Sequence, residues 1–273
     1  MAPLSTRARQ EISDLTYRVG ARALFDGASA FIAEGWKVGL IGRNGTGKTT
    51  LLRLIREEAG KPNSSIRVRR GARMGFVAQE VPQVDTPILQ VVLETDAEMT
   101  ALNAEAETAT DPQRIADIHM RLAEIEAYSA EARASAILVG LGFEQEDLQR
   151  PAREFSGGWR MRAALAGVLF SKPDLLVLDE PTNYLDLEGA AWLEEYLRDY
   201  EHTVVVVSHD REMLNRSVTH VLALDDKKLE VFVGGYDAYL KKKAERYALA
   251  VGMKAKQDAQ RAHLQKFIDR FRA

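Results

Sequence analysis

A chain of 273 residues, 46% hydrophobic and 28% charged, has the composition of a soluble globular protein and is long enough to bury a full-sized core. It has no cysteine, which excludes disulfides and thiolate metal sites and fits a reducing cytoplasm. No stretch nears the roughly 18 apolar residues needed to cross a bilayer, and the first ten residues lack the apolar core of a secretory signal. The net charge of −3 is uneven: residues 241–273 hold ten basic and three acidic residues. A basic arm on an acidic body suggests a polyanionic partner for the arm.

In chain order, residues 12–17 and 30–33 read as short strands around a glycine-punctuated turn. Residues 37–41 form an apolar strand that runs into a glycine-rich loop, and 50–58 has helical spacing. Residues 66–77 suggest another strand pair ending at Gln79. From 87 to 140 the pattern is helical, interrupted at Asp111-Pro112, where Asp caps a new helix and Pro takes its first position. A helix follows from Ser156 to about residue 170. The uninterrupted apolar run 175–178 and the β-branched run 203–207 read as central parallel strands, covered on both faces. A helix lies between them at 187–200. Residues 218–224 and 229–233 form a closing hairpin, and from Tyr236 onward the chain reads as one charged helix. Phe267, Ile268 and Phe271 are still in helical phase at the end, which predicts that the natural chain continues beyond Ala273. The expectation is an α/β fold with a mixed sheet core, an antiparallel β edge, an inserted helical subdomain at about 87–172 and a C-terminal helix. Residues 1–240 would form the main domain and 241–273 a basic linker or arm.

The loop Gly42-Arg43-Asn44-Gly45-Thr46-Gly47-Lys48-Thr49 fits the phosphate-binding pattern, and it lies between a strand and a helix as that pattern requires. Glycine lets backbone N–H groups approach phosphate oxygens, and the start of the helix, with Thr50, adds its partial positive charge. Lys48 is the candidate for the β and γ phosphates, and the Thr49 hydroxyl for Mg²⁺. The strand 175–178 ends in Asp179-Glu180. Strand alternation sends these two side chains opposite ways, so they take different roles. Asp179 is the expected Mg²⁺ partner, and Glu180 the carboxylate that polarises an attacking water.

Taken in order, these segments resemble the ATP-binding cassette superfamily, a P-loop NTPase fold. The resemblance adds Gln79 as the glutamine that helps ligate Mg²⁺, Phe155-Ser156-Gly157-Gly158-Trp159 as the signature motif, 181–186 as the D-loop and His209 as the switch histidine. It makes Tyr17 a candidate for stacking on adenine, with Val19 and Phe25 as alternatives. Ser156, Gly157 and Gly158 leave the N–H groups of a helix start uncovered. In the family that site takes the γ-phosphate of ATP held by an opposite cassette, so catalysis by Glu180, His209 and Lys48 implies a second cassette.

Trp159 with the following Arg160-Met161-Arg162, Asn183-Tyr184-Leu185-Asp186, Ser208-His209-Asp210-Arg211 and the segment 234–240 are most similar to the ABC-F group. That group consists of soluble twin-cassette proteins acting on ribosomes. The resemblance implies an ATP- and Mg²⁺-dependent translation factor whose basic tail meets RNA. The alternatives are the motor subunit of a membrane transporter and a non-catalytic ATP-gated module. Nothing in the sequence points to recognition of a DNA sequence.

Overall fold

The computed structural model describes residues 9–77 and 81–272. Its centre is a six-stranded sheet with the order β5-β6-β7-β3-β8-β9. Five strands run parallel: β3 (Lys37–Gly42), β5 (Met74–Phe76), β6 (Leu175–Asp179), β7 (Thr203–Val207) and β8 (His220–Asp225). The last, β9 (Lys228–Val233), returns antiparallel on β8. A second, antiparallel sheet has β1 (Arg9–Val19) between β2 (Arg22–Ala33) and β4 (Ile66–Arg67).

Period-two alternation makes the central sheet two-faced. Val38, Leu40, Val177, Val205 and Leu222 face one core, shared with α1 (Lys48–Glu58) and the small sheet. Leu176, Leu178, Val204, Val206 and Val221 face the other. That second core is filled by α2 (Ile88–Leu93), α5 (Ala130–Gly140), α6 (Gly157–Phe170), α7 (Leu187–Asp199) and α8 (Arg211–Ser217). With both faces covered, the central strands can be the unbroken apolar runs seen in the sequence.

The helical insertion also contains α3 (Ala97–Thr108) and α4 (Pro112–Glu124). Asp111 accepts from the Gln113 and Arg114 amides and Pro112 occupies the first turn, so the break foreseen there is a helix start. The ends of the insertion are stitched together where Ile88 N donates to Arg150 O and Ala152 N to Thr86 O. The last element, α9 (Tyr236–Arg272), is a 37-residue helix. Among the described residues no helix is long and apolar enough to cross a membrane.

Two local expectations change. The first strands are 11 and 12 residues long, well beyond 12–17 and 30–33. Register shifts near Asp14, whose φ is +51°, break the alternation that marks a strand in sequence. The segment 66–77 does not form one strand pair: β4 joins β1 in the small sheet, and β5 joins β6 in the central one.

Candidate functional site

The C-terminal ends of β3, β6 and β7 converge on one cavity of about 350 Å³, the place where open α/β sheets hold ligands. It is lined by Asn44, Gly45, Gly47, Lys48, Thr49 and Thr50 of the loop, by Asp179, Glu180 and Val207 at the strand ends, and by His209 and Leu24. Asp179 and Val207 pair in register, so the β6–β7 ladder fixes where the carboxylates leave the sheet.

The loop has the form an anion needs. Gly45 and Gly47 have φ of +74° and +113°, conformations that L side chains rarely adopt. A Cβ on Gly47 would lie 3.3 Å from the Phe25 ring and 3.4 Å from Leu24, so the loop is also tight there. Thr46 closes the turn by donating its hydroxyl to the Arg43 carbonyl at 2.8 Å. Lys48 Nζ donates to the Gly42 carbonyl at 2.9 Å and lies 3.5 Å from the Arg43 carbonyl, which folds the ammonium back over the loop. The start of α1 has no side-chain cap and no acid in its first turn. By contrast α3, α4, α7 and α8 are each capped by an aspartate: Asp96, Asp111, Asp186 and Asp210. The N–H donors of α1 are thus left for a ligand.

Glu180 is in the left-handed region at φ +49°, a turn that brings its carboxylate back toward β7. The Glu180 amide donates to Val207 O at 2.9 Å, and Glu180 Oε2 accepts from the His209 amide at 3.1 Å. Oε1 is buried without a hydrogen bond, 3.3 Å from His209 Nε2. A buried carboxylate oxygen left in this state has a lone pair to offer a proton donor such as water. These features fit a nucleotide triphosphate with Mg²⁺. The loop supplies amides and a lysine, Thr49 and Asp179 are hard oxygen ligands, and Glu180 stands next to them.

Ser156, Gly157 and Gly158 do not line this cavity. Ser156 and Gly158 are exposed at the start of α6, which again has neither a side-chain cap nor an acid in its first turn. A Cβ on Gly158 would meet nothing within 4 Å in this chain. Tyr17 is also absent from the cavity lining: its hydroxyl accepts from Arg53 of α1 at 3.0 Å. Phe25 is wholly buried, whereas Val19 is 54% exposed beside Arg22 at the tip of the β1–β2 hairpin. Gln79 lies outside the described residues.

The structure gives roles to two arginines for which the sequence offered none. Arg22 donates to the Gly45 carbonyl at 2.8 Å and so braces the loop from the β2 side. Arg162 of α6 donates to the Tyr184 and Leu141 carbonyls and to Asp186, tying the helix after Ser156 to the loop after Glu180. The Asp186 carboxyl is held below the usual carboxylate range by the Gly189 amide and then by Arg162. Arg22 belongs to no sequence pattern, and Arg162 was noted only as part of the run after Trp159. Each acts on main-chain carbonyls at least 20 residues away, so only the fold reveals it.

An ABC transporter family profile matches residues 25–183, and a second profile of the same description, for an extension, matches 222–273. The chain is 41% identical over 264 residues to the probable ATP-binding protein YheS of Escherichia coli, and 44% identical over 272 residues to human ATP-binding cassette sub-family F member 3. These matches cover 96% of this chain but 41% and 38% of those proteins, so the chain spans about two fifths of their length. Among solved structures it resembles a cassette from a dimer in a post-hydrolysis state bound to ADP and Pi (TM-score 0.55, 20% identity, covering 83% of this chain and 98% of that one). It also resembles the ATP-binding subunit of an ABC transporter (TM-score 0.59, 15% identity, 83% and 90%). At such identities these likenesses show the fold. The chain therefore belongs to the ATP-binding cassette family of ATPases.

Proposed function

We propose that this chain is an ATP-hydrolysing cassette that closes on MgATP against a second cassette, and that it acts on the ribosome in the cytoplasm as part of a translation factor. The observation that carries the reading is the division of the site. The phosphate loop, Asp179, Glu180 and His209 share one cavity, while the uncapped α6 start at Ser156-Gly157-Gly158 stands outside it and faces open space. Each cassette then offers a partner the half-site that it cannot use itself.

In this reading Lys48 and the loop amides, including those of Gly42, Arg43, Asn44, Gly45, Thr46, Gly47, Thr49 and Thr50, hold the phosphates. Mg²⁺, held by Thr49 and Asp179 with help from Gln79, would neutralise charge on the β and γ phosphates. Glu180 accepts a proton from the water that attacks the γ-phosphorus. The bond from that phosphorus to the bridging oxygen breaks, and ADP and phosphate leave. His209, fastened to Glu180 through its amide, keeps the carboxylate in place and faces the γ-phosphate. Of the adenine candidates, Val19 is better exposed than Tyr17, whose hydroxyl is engaged by Arg53.

The ribosomal part rests on α9 and on the F-group relatives. The basic residues Lys241, Lys242, Arg246, Lys254, Lys256 and Arg261 are exposed along α9, a helix that can neutralise RNA phosphates. Glu180→Gln blocks hydrolysis and should trap the ATP-bound form. The deciding experiment pellets that variant with ribosomes through sucrose in ATP and in ADP, at low and moderate salt. ATP-dependent pelleting that weakens with salt is the expected result. Equal pelleting in ATP and ADP would defeat the reading. A transporter-motor role, favoured by the likeness to transporter subunits, predicts stimulation of ATPase activity by membranes and none by ribosomes.

A further inference from the structure

Leu24 is the residue that the small sheet contributes to the wall of the phosphate cavity, and it marks the way a nucleoside leaves the phosphates. The strand ends contribute Asp179, Glu180 and the buried Val207, so the apolar way out is over Leu24. Arg22 lies two positions nearer the hairpin tip, about 7 Å along β2 and on the same face as Leu24. Val19 pairs with Arg22 in register and therefore shares that face.

Tyr17 does not share it. A register shift between Tyr17 and Arg18 breaks the alternation of β1, so that Tyr17 pairs with Phe25 while Val19 pairs with Arg22. Phe25 and Arg22 are three apart on β2 and point to opposite faces. The shift thus turns the Tyr17 ring away from Leu24 and toward α1, where Arg53 donates to its hydroxyl at 3.0 Å. Phe25 is 0% exposed, and Phe31, which keeps 40% of its surface in solvent, is nine residues away along β2, about 30 Å. The tip therefore offers a base no ring on the Leu24 face.

It offers a guanidinium instead. Arg22 is exposed, and its Nη2 donates to Gly45 O at 2.8 Å. Among the described residues it makes no other hydrogen bond, no salt bridge and no contact with a ring. A bond made in the plane of the guanidinium leaves its face open. Because Gly45 belongs to the phosphate loop, the plane is set in position beside the phosphates before a nucleotide arrives, which lowers the ordering cost of binding.

The geometry points to Arg22 as the residue that holds the purine of a bound nucleotide, with the ring on its guanidinium plane, Val19 beside it and the ribose over Leu24. The inference rests on the phosphates being held by the loop amides, and it gives Arg22 a role separate from bracing the loop. A delocalised, weakly hydrated guanidinium attracts the π face of a base by charge and by dispersion. It touches the face and no edge group. It therefore favours the larger purine over a pyrimidine and treats adenine and guanine alike.

The test titrates MgATP, and magnesium tripolyphosphate as the phosphates without a nucleoside, into the full chain by calorimetry. Arg22→Lys keeps the charge and loses the plane, and should weaken ATP relative to tripolyphosphate by at least about threefold. Arg22→Ala should change that ratio as much, even where loss of the Gly45 bond lowers both affinities. Tyr17→Leu should leave the ratio as it is. GTP should match ATP within about threefold, and UTP should bind more weakly than either. A smaller change of ratio in Arg22→Lys would reduce Arg22 to a brace and overturn the assignment. An equal change in Tyr17→Leu would return the base to Tyr17, and a larger gap between ATP and GTP would demand an edge contact that this surface lacks. If the wild type bound neither ligand, the reading of the loop would fall and this inference with it. If it bound both and the arginine variants left the ratio alone, only this inference would fall.

Discussion

The guanidinium of Arg162 donates to the Asp186 carboxylate at 2.9 Å, and Asp186 in turn caps α7 by accepting from the Gly189 amide at 2.9 Å. The same guanidinium reaches Tyr184 O at 2.6 Å and Leu141 O at 3.1 Å and lies over the Trp159 ring at 4.5 Å. One side chain thus joins the helix that starts at Ser156, the insertion and the loop behind Glu180. Arg162→Ala leaves two carbonyls and a carboxylate without their donor, at an expected cost of about 2 kcal/mol. It should slow turnover more than it weakens nucleotide binding. Arg162→Lys keeps the charge without the fork and should recover less than half of the loss. Thermal melts beside fluorescent-nucleotide titrations check this, and a wild-type melting curve for Arg162→Ala would refute it.

The two left-handed glycines of the phosphate loop should differ when changed to alanine. At Gly45 the space is open, with only Arg22 at 3.9 Å, so the cost is the backbone strain of about 1 to 2 kcal/mol. At Gly47 the same kind of strain is joined by contact with Phe25 and Leu24. Gly47→Ala should therefore lower the melting temperature further than Gly45→Ala. It should also abolish ATP binding, because relief of the contact moves the start of α1. Equal stability of the two variants would show that the contact is relaxed elsewhere.

His220 stacks on Trp36 with centroids 3.6 Å apart and an interplanar angle of 11°. Burial holds its pKa below the ordinary 6.5, so the folded chain takes up this proton less readily than the unfolded chain. The stability tied to the neutral ring is complete above 6.5 and erodes as pH falls below it toward the folded value. His220→Phe keeps a stacked ring and removes the titration. Between about pH 7 and about pH 5 the variant should lose less stability than the wild type in urea melts. Parallel losses would place the pH dependence on other groups.

Tyr239 anchors the root of α9. It is 7% exposed and meets the Phe232 ring edge-on at 5.0 Å. Around it Lys243 pairs with Asp225 at 2.7 Å and Arg211 with Asp237 at 2.9 Å. These ion pairs are more than half exposed and add little to stability, so the buried ring carries the attachment. Tyr239→Ala should cost about 3 kcal/mol and strip hydrogen-exchange protection from the first turns of α9 while sparing β6 and β7. Protection lost evenly over the whole chain would mean that the root and the core unfold together.

Local chemistry was legible in the sequence wherever neighbouring residues determine it. The loop Gly42–Thr49 must lie between a strand and a helix, and Asp111-Pro112 starts a helix by its own hydrogen bonds. Partners distant in the chain were not legible. The segment 66–77 carries two strand signals, but nothing local assigns β4 to the small sheet and β5 to the central one. The bulge at Asp14 disguised β1, because a residue at positive φ interrupts the very alternation used to find strands. Tyr17 stood out through the family resemblance, which could not reveal that Arg53 engages its hydroxyl. Of the candidate site, the loop, Asp179, Glu180 and His209 could be listed from the sequence alone. The bracing roles of Arg22 and Arg162 could not, because most of the atoms they bind are main-chain carbonyls, which carry no residue signature.

At 1.5 Å per residue the 37 residues of α9 make a rod about 55 Å long, held at its root by Tyr239, Lys243 and Arg246. Arg211, two positions after His209, is clasped to Asp237 in the first turn of that rod. A lever so proportioned trades force for travel: a tilt of about 10° at the root carries the far end through about 10 Å. An ångström-scale adjustment around a departing phosphate would then become a sweep of nucleotide dimensions at the tip.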